Sequence, residues 1–253
     1  MQMKSSRKTT CCSGLGLTVL LVFMMFSIST AMGVTPKLNA DGYYEIDSAE
    51  GLKWFAEQVN SGNSSINGKL TASIHLKYLK EDVWTPIGSI DTNSATYHKF
   101  TGIFDGDGCT IYDLVLPKQS GSGLFGYVDG ATIKDIQIDG VKVSTEFTSS
   151  YLSEGLGALV GIANNSTISE CSTWNAAITV TADADYQAID AVGGIVGICY
   201  NHSTIEDCYF QSGYVMTNTK YVGSIVGAAQ ISTIKDCHVG SSSTGVTKIC
   251  GGD

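Results

Sequence analysis

Gly194-Ile195-Val196-Gly197, followed seven residues on by Thr204-Ile205-Glu206-Asp207-Cys208, is the stretch whose reading decides the fold. Its second half recurs as Thr110-Ile111-Tyr112-Asp113-Leu114, Thr132-Ile133-Lys134-Asp135-Ile136, Thr167-Ile168-Ser169-Glu170-Cys171 and Thr233-Ile234-Lys235-Asp236-Cys237. The threonines of the five copies fall 22, 35, 37 and 29 residues apart. Its first half recurs as Gly123-Leu124-Phe125-Gly126, Ala158-Leu159-Val160-Gly161 and Ser224-Ile225-Val226-Gly227, with a degenerate Gly102-Ile103-Phe104-Asp105 before the first copy. Short β-branched runs punctuated by glycine at such a period mark units that stack on one another. Residues after 62 keep no helical periodicity over a full helix length. Parallel strands ordinarily need crossover helices, and a coil of strands with turn corners dispenses with them. The pattern therefore predicts an all-β chain, a right-handed parallel β-helix (solenoid) of about five rungs. Ile111, Ile133, Ile168, Ile205 and Ile234 are expected to form an inward ladder.

A solenoid needs a cap, and residues 41–60 supply one. Tyr43, Tyr44 and Ile46 read as a strand, Asp47 and Glu50 as a capping box, and Leu52, Phe55, Ala56 and Val59 as one face of a short helix. The organisation predicted is a signal peptide over 1–32, a cap over 38–100, repeats over 101–240 and a tail over 241–253. Segments 144–155 and 181–192 read as loops inserted at one corner. The last unit has no helix like that of the cap after it, which predicts end-to-end self-association or further repeats beyond this chain.

Lys4, Arg7 and Lys8 precede an apolar run from Leu15 to Ile28, and small residues follow near Ala31. That order describes a secretory signal, and the run is short of the ~20 residues that span a bilayer. The chain is expected to be secreted or held at the cell surface. Beyond the signal, 12 basic residues (15 − 3) face 24 acids, and none is arginine. Nucleic acid is excluded as a partner on that balance, because binding it needs a basic stripe to displace counterions.

The Gly-x-Leu/Ile-Phe/Val-Gly segment followed by Thr-Ile-x-Asp-Cys resembles the GLUG repeat of bacterial secreted and surface proteins, over roughly residues 119–240. The stretch from Tyr43 through Trp84-Thr85-Pro86-Ile87-Gly88 to Gly106 is similar to the segment that often precedes such repeats. The resemblance implies a β-helix stack and adhesin-like surroundings, and it implies no ligand.

Read as columns, the copies place Leu114, Ile136, Cys171, Cys208 and Cys237 together. Leucine and isoleucine in that set point it inward, where cysteine packs as a small hydrophobe. Disulfides and a thiol metal site stay open as alternatives. The acids Asp113, Asp135, Glu170, Asp207 and Asp236 form a second column, in which neighbours repel by roughly 1 kcal/mol in water. Corner capping of turn N–H groups is the simpler account, and calcium is the candidate cation for the same five carboxylates. Apart from calcium, no cofactor is indicated. Asn63, Asn164, Asn165 and Asn201 lie in Asn-x-Ser/Thr sequons and read as turn residues.

Nothing in the sequence assembles a catalytic motif. His75, His98, His202 and His238 are scattered, and catalytic carboxylates should be singular, whereas these acids recur once per unit. The expectation is a non-catalytic binding or adhesion module for an extracellular glycan or protein. A carbohydrate-active β-helix enzyme, a polysaccharide lyase or hydrolase, is the alternative. Tyr127, Trp174, Tyr186, Tyr200, Tyr209 and Tyr214 are the aromatic residues on which a sugar face would stack.

Overall fold

Four of the Thr-Ile copies lie side by side. In the computed structural model, which describes residues 35–91, 96–118, 121–147, 154–180, 189–240 and 247–250, Thr132, Thr167, Thr204 and Thr233 are successive partners in one parallel sheet. Ile133, Ile168, Ile205 and Ile234 are partners in the same register. Strand residues alternate faces, so the isoleucines go inward and the threonines out. Ile133, Ile168 and Ile205 are fully buried, while Ile234, on the outermost strand of this sheet, is exposed.

The first copy departs from the expected register. Phe104, within the strand Ile103–Asp105, stands beside Ile133, and Ile111 belongs to another sheet between Ile74 and Ile138. The ladder therefore runs from Phe104 through four isoleucines. A phenylalanine fits there because its other neighbour in the sheet is Gly68, where a Cβ would lie 2.8 Å from the Phe104 ring. The ring packs edge-on against Phe55 of the helix and against Phe125, at centroid distances of 5.4 and 5.2 Å.

From Phe125 the chain repeats one circuit. The first runs through Phe125–Asp129, Thr132–Lys134, Gln137–Asp139, Lys142–Phe147 and Glu154–Gly157. The second takes Val160–Asn164, Thr167–Ser169, Ser172–Trp174, Ala176–Val180 and Ile189–Gly193, and the third Val196–Tyr200, Thr204–Glu206, Tyr209–Phe210, Gly213–Thr217 and Tyr221–Gly223. The last takes Val226–Gln230, Thr233–Lys235, His238–Val239 and Thr247–Cys250. Counterparts in successive circuits pair in parallel, and with the strands before Phe125 they make up sheets of four, eight, six, five and three strands. Among the described residues strands dominate and one α-helix is present, so the chain is all-β.

Two expectations about loops and the tail are corrected. The supposed loop 144–155 is strand up to Phe147 and again from Glu154, and 181–192 is strand from Ile189. Both flanks extend because each has a counterpart one circuit away to pair with. Thr247–Cys250 is likewise not tail but a strand beside Gly213–Met216. The signal segment 1–32 lies outside the described residues.

Left-handed backbone makes the corners. Asp135, Glu170, Asp207 and Asp236 have φ of 54°, 54°, 51° and 53°, a region in which aspartate and asparagine are tolerated better than most side chains. Their N–H groups, where a further circuit follows, donate to the carbonyls of Ser169, Glu206 and Lys235. Among the described residues none of these carboxylates accepts a hydrogen bond from the turn, so the column serves through its backbone and not through the expected N–H capping. Asp113 is not in this column. It shares the next corner with Gly140 and Asn175, at φ of 62°, 82° and 50°. Leu114 likewise stands over Val141, and Cys109 takes its place above Ile136, as the bonds from the Lys142 and Gln137 amides show.

The helix Ala49–Asn60 packs against Phe104 through Phe55. Ser48, one residue after the expected cap, is the N-cap, and its Oγ accepts from the Gly51 amide at 3.3 Å. The predicted face of Leu52, Phe55, Ala56 and Val59 is buried throughout. Close backbone approach explains the second glycine of the recurring signature. A Cβ on Gly197 would lie 2.4 Å from the Leu156 nitrogen and 2.6 Å from the Gly161 oxygen, within contact distance of main-chain atoms that cannot swing away.

Candidate functional site

Alternation along the six-stranded sheet creates an outward face with two rows. Its inward residues, Ile74, Ile111, Ile138, Thr173 and Phe210, are buried. One outward row contains Thr110, Gln137, Ser172, Tyr209 and His238, and the other His75, Tyr112, Asp139 and Trp174. Trp174 is 38% exposed and Tyr209 42%. The indole N–H of Trp174 donates to Ser172 Oγ at 3.1 Å, which fixes the ring beside the row that carries Tyr209. Tyr209 and His238 are in tilted contact at 5.2 Å between ring centroids. At the other end the His75 ring lies flat on Tyr112, with centroids 4.3 Å apart and planes at 13°.

The corner Asp113–Gly140–Asn175 carries this face over to the five-stranded sheet. Asn175 donates to Asp139 Oδ1 at 2.8 Å and accepts from Ser212 Oγ at 3.1 Å, so its amide is held from both sides. Beyond the corner, Lys142, Ala177 and Tyr214 share a column, and Tyr214 is 37% exposed.

A groove of about 390 Å³ lies at the cap end of this corner, lined by Leu76, Lys77, Asp82, Asp113, Gly140 and Lys142 among others. His75 Nδ1 sits 3.1 Å from Asp113 Oδ2, and Lys77 Nζ sits 3.5 Å from the same oxygen. The bond from His75, followed by the charge of Lys77, holds the Asp113 carboxyl below the usual aspartate range. Among the described residues no serine, threonine or cysteine side chain bonds to His75. What the face offers is aromatic surface, fixed amides and carboxylates, and a few cations.

Of the six aromatic residues singled out from the sequence, the structure sets Trp174 and Tyr209 on one sheet face and leaves Tyr214 exposed on the neighbouring sheet, beyond the corner. Tyr127 is not a platform. It is 8% exposed on the four-stranded sheet, its hydroxyl lies 2.8 Å from that of Tyr200, and its ring meets Tyr97 edge-on. Tyr200 is thereby committed to packing as well, and Tyr186 lies outside the described residues. Tyr112, His75 and Asp139 were missed because their place on the face depends on register, although alternation around Ile111 and Ile138 was a usable signal. Of the acid column, Asp135, Glu170, Asp207 and Asp236 stand at one corner and Asp113 at another. Among the described residues no group of three or more histidine, cysteine, aspartate or glutamate side chains is gathered as a metal site. The sequon residues Asn165 and Asn201 occupy left-handed turn positions, at φ of 46° and 53°.

No family model matches this chain. No curated protein matches it either. A solved structure similar to it is the "Crystal structure of a putative immunoglobulin A1 protease from Bacteroides ovatus", at 16% identity and a TM-score of 0.43, with 84% of each chain covered.

Proposed function

We propose that this chain is an exported, non-catalytic binding module, built as a right-handed parallel β-helix, that holds an extracellular glycan on its aromatic face. The observation that carries this reading is that Trp174 and Tyr209 share one sheet face, with Tyr214 beyond the adjoining corner, each more than a third exposed. A pyranose ring presents C–H bonds on its faces and hydroxyls at its rim. The first suit an indole or phenol ring, and the second suit Asn175, Asp139, Gln137 and Ser172, which lie between and beside the rings. Apolar rings separated by oriented amides and carboxylates form a poor surface for a lipid or for nucleic acid. The recurring circuit supports the solenoid, because from Phe125 on the strands pair in parallel with their counterparts in the next circuit.

A glycan array probed with the mature chain and with a Trp174→Ala/Tyr209→Ala variant tests this. Binding of a polysaccharide by the parent chain and its loss in the folded variant is the expected result. No binding to any glycan overturns the reading in favour of a protein partner. Release of reducing sugar from a bound polymer overturns it in favour of a carbohydrate-active enzyme.

A further inference from the structure

Three thiols that the glycan face does not use stand in a row. Cys171, Cys208 and Cys237 are successive members of the column that follows the acid corner, linked by bonds from the Tyr209 amide to the Cys171 carbonyl and from the His238 amide to that of Cys208, each 2.9 Å. All three are free. Each turns its sulfur the same way, towards the carbonyl two residues back, at 3.0 Å for Cys171 and 3.2 Å for Cys208 and Cys237. The sulfurs of Cys208 and Cys237 also lean towards the preceding circuit, reaching the carbonyls of Ile168 and Ile205 at 3.8 and 3.6 Å.

Identical side-chain orientations repeated by one strand spacing put neighbouring α-carbons ~4.8 Å apart, inside the range that a disulfide spans. The β-carbons, equally ~4.8 Å apart, are beyond the ~3.5–4.5 Å that it needs. A bridge therefore requires one strand to shift towards the other. Cys171 and Cys208 are both buried, with strands of this sheet on either side of each. Cys237 immediately precedes His238–Val239, the outermost strand of the six-stranded sheet, and is only partly buried. The column can close at that pair and is held open at the other.

We propose that Cys208 and Cys237 are an oxidation site that a small-molecule disulfide such as oxidised glutathione converts into a bridge between the last two circuits. The Cys237 thiolate attacks one glutathione sulfur, forming a mixed disulfide and releasing one glutathione thiolate. The Cys208 thiolate then attacks the Cys237 sulfur and releases the second glutathione. Two protein thiols lose two protons and two electrons, and one molecule of oxidised glutathione becomes two of reduced glutathione. The neighbouring Cys171 side chain pulls the Cys208 thiol below its ordinary value, which suits the second attack. Burial pushes the Cys237 thiol up to about 11, so the first attack is slow at neutral pH and quickens as the pH rises.

The test is incubation of the full chain with oxidised glutathione at about pH 8.5, near the ordinary thiol value, followed by non-reducing peptide mapping. A linked peptide pair containing Cys208 and Cys237, lighter by two hydrogens, is expected. It should persist in Cys171→Ser and vanish in Cys237→Ser. The oxidised chain should also resist urea to a higher concentration than the reduced one, an effect absent from Cys237→Ser. A Cys171–Cys208 link overturns the assignment, as does a Cys237 that ends as a stable mixed disulfide or stays free after full incubation.

Discussion

Trp174 and Tyr209 stand on diagonal positions of one sheet face, because Ser172, two residues before Trp174, is the ladder partner of Tyr209. Diagonal side chains on a sheet are ~7–8 Å apart at their α-carbons, within reach of one another for rings of this size. Two exposed aromatic residues from consecutive circuits thus make one continuous surface, and the bond from the Trp174 indole to Ser172 keeps it there.

Beneath that surface, Thr173 occupies an inward position between Ile138 and Phe210, and its hydroxyl is buried with no hydrogen-bond partner. Thr173→Val keeps the shape and removes the orphaned group, whose desolvation costs about 1–3 kcal/mol. The variant should raise the midpoint of urea unfolding while leaving glycan binding intact. A lowered midpoint would show that the hydroxyl is satisfied in solution.

Ile231 carries a different strain. It is a β-branched residue at φ 49° with 64% of its surface exposed, so no packing offsets its backbone cost. Ile231→Asn should stabilise the chain by about 1 kcal/mol, since asparagine enters the left-handed region at less cost. Thermal unfolding of the two proteins side by side decides it.

The His75–Asp113 pair makes a pH prediction. The Asp113 carboxyl has a lower folded than unfolded value. Its contribution is therefore present above the ordinary aspartate range and is lost as pH falls through the folded value. Both side chains are about 40% exposed, so screening keeps the contribution below ~1 kcal/mol. Asp113→Asn should lower the urea midpoint slightly at about pH 5 and not at about pH 2, on either side of the ordinary aspartate value. An equal loss at both values would make the effect one of packing.

Register, and not chemistry, limited what the sequence disclosed. Thr167, Thr204 and Thr233 announce their sheet because β-branched residues recur beside one another without exception. Ile103-Phe104-Asp105 occupies the same sheet with no threonine at all, since the requirement there is an inward apolar side chain and Phe104 meets it against Gly68. Thr110-Ile111-Tyr112-Asp113 imitates the motif at another corner because both corners need a left-handed residue after a short strand. Local pattern cannot distinguish two corners with the same backbone demand. The same ambiguity hid the aromatic face. Tyr127 and Trp174 look alike as sequence, and pairing with Tyr200 buries the first, while an open row beside Ser172 exposes the second.

Affinity for a polysaccharide immobilised from the array, compared between the parent chain and Trp174→Ala, tests the central claim most directly. Truncating a ring that stacks on a ligand is expected to cost about 1.5 kcal/mol, roughly a tenfold loss of affinity. Trp174→Ala should show that loss with an unchanged unfolding midpoint, and Tyr127→Phe, off the face, should bind as the parent does. Undiminished binding by Trp174→Ala would contradict the account.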